Sequence, residues 1–289
     1  MKRSLLTLIP VGLAFFGSGG AAAGAPPITA RQVIERIQKN VGIPWQAETV
    51  DTFKAGDPDT PVTGIATTFM ATMEVLQRTA ASGKNLIIVH EPVFYNHRDE
   101  TAGFETDAVY KAKRAFIAQH GLVIWRFHDH WHAHKPDGVL TGMTHALGWE
   151  KYQRSANEPL YVLPETTLER LAADLRNRLK IRAIRVIGDP GMKLTKAGLS
   201  MGASGADAQI KALERDDVEV LLIGETTEWE TIAYVRDAVT EGKRKALILL
   251  GHVPSEEAGM EYCARWLKTF VTEVPIEFIP AGEPFWGPK

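Results

Sequence analysis

Three apolar runs of this 289-residue chain end on a histidine: "NLIIVH" at His90, "GLVIWRFH" at His128 and "ALILLGH" at His252. A fourth, "VLLIG", is followed by Glu225. Each histidine has a second potential ligand close behind it. Glu91 follows His90 directly, His132 comes four residues after His128, and Glu256 comes four residues after His252. A spacing of four puts two side chains on one face wherever a helical turn begins. Pro92 rules out a helix at "HEP", so this pair is not the His-Glu-x-x-His of a metalloprotease. Imidazoles and carboxylates together suit zinc, iron or manganese, whereas calcium takes oxygen ligands. A catalytic zinc usually draws three ligands from the protein, so six candidates imply two divalent metal ions ~3.5–4 Å apart.

The elements that must position these residues read as an α/β chain, with short apolar runs alternating with amphipathic stretches. "ITARQVIERIQKNVG" predicts a helix with Thr29 as N-cap, Val33, Ile34 and Ile37 on one face, and an end at Gly42. "ATTFMATMEVLQRTAASG" predicts another, and "NLIIVH" is a continuous apolar run of the kind buried on both faces of a sheet. "SEEAGMEYCARWLKTF" predicts a helix capped by Ser255 that buries Cys263, Trp266, Leu267 and Phe270. In open α/β sheets, sites form outside the carboxyl ends of the strands, which is where these histidines fall.

The remaining histidines divide less sharply. In "HDHWHAH" all four would share a face if the segment were extended, whereas a helical turn separates His128 and His132 from His130 and His134. His130 and His134 then line the pocket or lie exposed. His97, beyond the first strand, could act as an acid or base, or simply hydrogen-bond within its loop. His120 and His145 read as structural. "HDHWHAH" also has the His-x-His of amidohydrolase barrels, which makes an amidohydrolase-like mononuclear hydrolase an alternative, but eight βα units need more chain. "SMGASGADAQI" lacks the Lys-Ser/Thr of a phosphate loop and reads as a turn before a helix.

Composition narrows the partners. With 33 Lys and Arg against 35 Asp and Glu, the formal charge is −2 and the chain has no basic face that would track nucleic acid. A lone cysteine, Cys263, excludes an intramolecular disulfide and a Cys-rich zinc site. "MKR", the apolar "SLLTLIPVGLAFF" and the small residues of "GSGGAAAGAPP" read as an export signal over residues 1–25, cleaved after Ala23 or Ala25. The run is shorter than the ~18 apolar residues of a membrane span. The expectation is a periplasmic or extracellular protein with no stable membrane span after cleavage.

"LIIVHEPVF", "FHDHWHAHKPDGVLTGMTHALGW", "LLIGETTEW" and "GHVPSEEAGM" resemble, in order and spacing, the motifs of the NIF-three-like dinuclear metal-centre proteins, a family that also carries the label type-two GTP cyclohydrolase I. The likeness is weakest between Glu150 and Asp216. His90, His128, His252 and Glu256 match the family's ligand positions. Glu91 stands where the family has a histidine, and His132 where it has an aspartate, a reciprocal exchange that keeps the ligand inventory. The resemblance implies two α/β lobes, about 26–135 with 245–289 and about 136–244, and a homo-oligomer, in the family a hexamer. The function expected is a metal-dependent hydrolase of an unknown small molecule, with Glu225 or His97 as proton shuttle; the alternative is a non-enzymatic metal-binding or scaffold oligomer. Cyclisation of GTP fits poorly, because nucleoside triphosphate is scarce outside the cytoplasm and no phosphate loop is visible.

Export makes one direct prediction. Mass spectrometry of the native protein should find its amino terminus at residue 24 or 26; an intact Met1 would refute the signal reading.

Overall fold

A computed structural model of the protein describes residues 27–286 and 288. The expected export signal, residues 1–25, lies outside these residues. Among the described residues, no helix is long and apolar enough to cross a membrane. The chain builds β1 (Phe53–Ala55), β2 (Ile65–Thr68), β3 (Leu86–Val89), β4 (Val123–Arg126), β5 (Leu160–Thr167), β6 (Arg185–Ile187), β7 (Lys193–Ser200), β8 (Val220–Ile223), β9 (Ala246–Leu249) and β10 (Ile276–Phe278). They form two five-stranded sheets, ordered β1-β4-β3-β2-β10 and β5-β7-β8-β9-β6. In each sheet the central strands are parallel; antiparallel β5 and β6 close the second sheet, while the first is closed by antiparallel β1 on one edge and parallel β10 on the other.

The continuous apolar runs are explained by cover on both faces of each sheet, as parallel strands require. Leu86 and Ile88 of β3 face a core shared with helices α1 (Ala30–Asn40) and α9 (His252–Leu267), while Ile87 and Val89 face one shared with α2 (Met73–Ala81) and α3 (Ala108–Gln119). The second sheet alternates likewise. Leu222 and Ile248 pack with α5 (Gly138–Leu147) and α6 (Leu168–Arg178), and Leu221 and Leu247 with α7 (Ala206–Glu214) and α8 (Ala233–Thr240). Helix α1 starts as its sequence dictates: Thr29 and Gln32 form a capping box, and Val33, Ile34 and Ile37 are buried.

Two expectations need correction. Residues 245–289 do not all return to the first sheet, because Ala246–Leu249 pairs in parallel with β8 inside the second. The strand is apolar on both faces and finds cover on both only between β8 and β6. The chain crosses over at Gly251, and α9 then buries Met260, Cys263 and Leu267 in the first lobe's core. Nor does Ser255 cap α9, which already begins at His252. Its hydroxyl donates to the His252 carbonyl at 2.7 Å and accepts from the Gly202 amide at 3.0 Å, tying the helix start to the second lobe.

Helices α5 and α9 cross between the lobes. Val139 of α5 joins the first core, and Leu140, Met143 and Leu147 join the second. A Cβ on Gly142 would stand 2.4 Å from the Ala258 carbonyl oxygen, so only glycine permits this approach. The contact, at Ala258 and Gly259, fixes α9 against α5 just beyond the turns that carry His252 and Glu256.

Candidate metal centre

His90 lies just beyond β3 and His128 just beyond β4, neighbouring parallel strands of the first sheet. His252 and Glu256 come from the first turns of α9, which follows β9 of the second. The backbone at "HE" stays extended: the amides of His90 and Glu91 still donate to Thr68 and Phe69, at 3.1 and 2.9 Å. The segment after His128 instead turns into the short helix α4 (Asp129–Ala133), whose His132 amide donates to the His128 carbonyl at 3.0 Å. Asp51 sets that turn. Its buried carboxylate accepts the amides of His128, Asp129 and His130 at 2.6, 3.0 and 2.8 Å.

These elements bring all six candidate ligands together. Atoms of His90, His128 and His132 lie within 4.8 Å of one another, and so do atoms of His90, Glu91 and Glu256. The Nε2 atoms of His90 and His132 stand 3.5 and 3.8 Å from different oxygens of Glu256. His252 Nε2 is 3.1 Å from Glu256 and 3.4 Å from Glu91, and His128 Nε2 is 3.9 Å from Glu91.

Every one of the four imidazoles presents Nε2 inward and is held from behind at Nδ1. The partners are the Phe127 carbonyl for His90 at 3.1 Å, Asp129 for His128 at 2.8 Å, Asp137 for His132 at 3.2 Å and Glu225 for His252 at 3.2 Å. Such outer contacts fix the tautomer that leaves Nε2 free to ligate. His90 shows the consequence most clearly, for its Nε2 is fully buried and has no hydrogen-bond partner. An unsatisfied buried polar atom costs about 1–3 kcal/mol, which a metal ligand recovers. The donor set therefore fits a divalent transition metal.

Charge follows the same arrangement. Burial alone would raise the Glu91 carboxyl, but the His252 hydrogen bond and the surrounding imidazoles hold it down to about 2. Glu256 is likewise held well below the ordinary carboxylate range against its burial, by His252 and His90. His252 moves the other way: its contacts with Glu256 and Glu91 overcome burial and raise it to about 10. Burial and the neighbouring His90 push His128 down to about 4. Arg126 is completely buried beneath the cluster, donating to the His90 carbonyl at 3.0 Å and standing 3.4 Å from Glu91.

Glu256 also depends on the second lobe. A Cβ on Gly202 would fall 2.3 Å from its Oε1, so the backbone of that loop forms the wall behind the carboxylate.

The other predicted residues separate clearly. Glu225 is half exposed and buttresses His252. His97 lines both clefts that open on the cluster, its ring 5.8 Å from that of His128. His130 is no pocket residue. It is buried between Asp51 at 2.7 Å and the Gln46 amide at 2.9 Å, stacked on Trp45. His134 bonds the Pro136 carbonyl at 2.7 Å, His145 pairs with Glu150 on the surface, and His120 packs on Phe116. The residues missed by spacing are the outer partners Asp129 and Asp137, with Asp51 and Arg126. Arg126 alone carried a signal, as a charge inside the apolar run "VIWRF".

A family profile described as Duf34/NIF3 (NGG1p interacting factor 3) matches residues 28–284. No curated protein matches. Among solved structures, the Staphylococcus aureus hypothetical protein SA1388 is similar over 91% of this chain and 100% of its own, with 19% identity and a TM-score of 0.72. A Bacillus cereus protein related to NIF3 covers 90% and 99% of the two chains, with 14% identity and a TM-score of 0.73. TTHA1606 from Thermus thermophilus covers 89% and 100%, with 14% identity and a TM-score of 0.65. At these identities the likeness shows the shared α/β fold.

Asp137 offers a test of the outer contacts. Its Oδ1 caps α5 through the amides of Val139 and Leu140 at 2.7 and 3.0 Å, while Oδ2 faces His132. Asp137→Asn keeps the cap but turns a donor toward Nδ1, moving the imidazole proton to Nε2. Metal affinity should fall ~10–100-fold with the melting temperature nearly unchanged, as chelator competition and thermal unfolding would show.

Proposed function

Because the chain belongs to the Duf34/NIF3 family, whose profile spans residues 28–284, we propose that the cluster holds two divalent transition-metal ions, zinc, iron or manganese, and that the protein is a hydrolase of a small molecule. The observation that carries this reading is the convergence of four Nε2 atoms on two carboxylates, each imidazole anchored at Nδ1. Glu256 directs its two oxygens at different histidines, as a carboxylate shared by two ions would. Bound ions would supply Lewis acidity and bring the pKa of water toward about 7.

The rest of the chemistry falls to the protein. Arg126 holds Glu91 in place and balances its charge from below. Glu225 orients His252 through Nδ1 from the exposed rim, where it is placed to relay a proton. His97, at the junction of the two clefts, is the group positioned to move a proton to a leaving atom. Those clefts, of about 1020 and 560 Å³, share Glu91, His97 and His252 and give a substrate access to the cluster. That access favours hydrolysis over a scaffold, since a structural site is closed by its ligands. Export and assembly into a homo-oligomer complete the proposal.

A panel of ester, amide and phosphoester substrates, assayed with metal-loaded and chelator-treated protein, tests the activity. Turnover that is lost on chelation and restored by metal is expected; a panel without metal-dependent turnover, at full metal occupancy, would favour the scaffold.

The exchange at Glu91 and His132 gives a second test. Glu91→His and His132→Asp should each weaken metal binding by ~10–100-fold. Together they should recover much of the loss, an interaction that a double-mutant cycle measures. Simple additivity would show that the two positions do not share a site.

A further inference from the structure

The larger cleft contains a charged group that hydrolysis at the cluster does not use. Phe69, Met73, Tyr95, Val109 and Phe285 supply apolar wall, and Lys113 of α3 lines the same space. Only 5% of Lys113 is exposed. Its ammonium donates to the Val93 carbonyl at 2.6 Å and lies 5.1 Å from the centre of the Tyr95 ring. An ammonium has three hydrogens to donate, and among the described residues Val93 is its one hydrogen-bond acceptor. It forms no ion pair among those residues. Asp99, the acidic group that acts on it, is already engaged by Lys54 at 3.4 Å and Arg126 at 3.9 Å. Burial pulls the Lys113 ammonium down to about 8, the direction expected of a cation lacking a counterion.

A buried cation with donors to spare, facing an apolar cleft, is complementary to an anion on an apolar body. The other charged groups of the lining are already paired: Arg185 with Glu228 at 3.1 Å, Glu91 with Arg126, His252 with Glu256 and Glu225, and Glu283 with Arg182. A single ammonium supplies one compensating charge, which matches a monovalent carboxylate more fully than a doubly charged phosphate. We propose that this cleft binds a small apolar carboxylate, with Lys113 pairing the carboxylate and the apolar body lying along Phe69, Met73 and Tyr95. This deepens the hydrolase reading by naming its substrate class, and rests on that reading only for the presence of a cleavable bond near Glu91 and His252.

Val109 makes the test clean. It precedes Lys113 by four residues on α3, lines the cleft and is 65% exposed. Val109→Glu therefore places a carboxylate beside Lys113 without touching the core, and near the helix amino terminus it is favourable for the fold. The probes are 4-phenylbutyrate and its neutral amide, titrated calorimetrically into the full protein with metal and after chelation. The acid should bind about tenfold or more tighter than the amide in both forms. Val109→Glu should bring the two affinities together while leaving metal content unchanged, and Lys113→Met should do the same. Equal affinities in the unaltered protein, binding of neither probe, or an acid preference that survives Val109→Glu would overturn the proposal. So would a preference that disappears on chelation, which would assign the carboxylate to the metal cluster. Loss of hydrolase activity as a reading leaves the acid preference intact, so the two failures are separable.

Discussion

Two carboxylates, Glu91 and Glu256, are drawn into the protein at the point where its two sheets meet, with Glu256 only 3% exposed. An ionised carboxylate taken from water costs several kcal/mol unless positive charge compensates it. Arg126 provides one permanent charge, against Glu91. Without a metal the rest comes from protonation, which is why His252 is raised to about 10 between the two carboxylates. A divalent ion meets the same demand more fully. Binding must then expel the His252 proton, so affinity should climb as the pH rises.

That constraint explains features distributed over both lobes. The first sheet supplies His90, Glu91 and His128 from adjacent strand ends, and Asp51 forces the turn that swings His132 alongside. The second lobe supplies the wall at Gly202 and the Ser255 contact that secures the start of α9. The close crossing at Gly142 locks α9 against α5 at Ala258 and Gly259. The cluster therefore depends on the interface between the sheets as much as on either core, and the two clefts beside it follow the same seam.

Much of this was legible in one sequence because its signals are local. Strand-end histidines, the spacing of four in "HDHWH" and "HVPSE", and the capping residue Thr29 all report on neighbours a few positions away. The return of the chain to the first lobe was misplaced because "ALILLGH" is equally apolar wherever it pairs; only β8 beside it decides the sheet. His130 could not be told from His132 until α4 turned them apart and Asp51 claimed one of them. The outer partners were hidden for a related reason. Asp51 lies 77 positions from the His128 amide it accepts, a closure that no local pattern encodes. The burial of Lys113 is set the same way, by the Val93 carbonyl that accepts from its ammonium 20 positions away.

The central claim is that six side chains hold two ions through imidazole Nε2 atoms and shared carboxylates. Anomalous diffraction from crystals of the metal-loaded protein, recorded at the edge of the bound metal, tests it most directly. The account predicts two peaks ~3.5–4 Å apart, within bonding distance of Nε2 of His90, His128, His132 and His252 and of the carboxylates of Glu91 and Glu256. A single peak at full occupancy, or two peaks with Glu91 turned away toward Arg126, would contradict it.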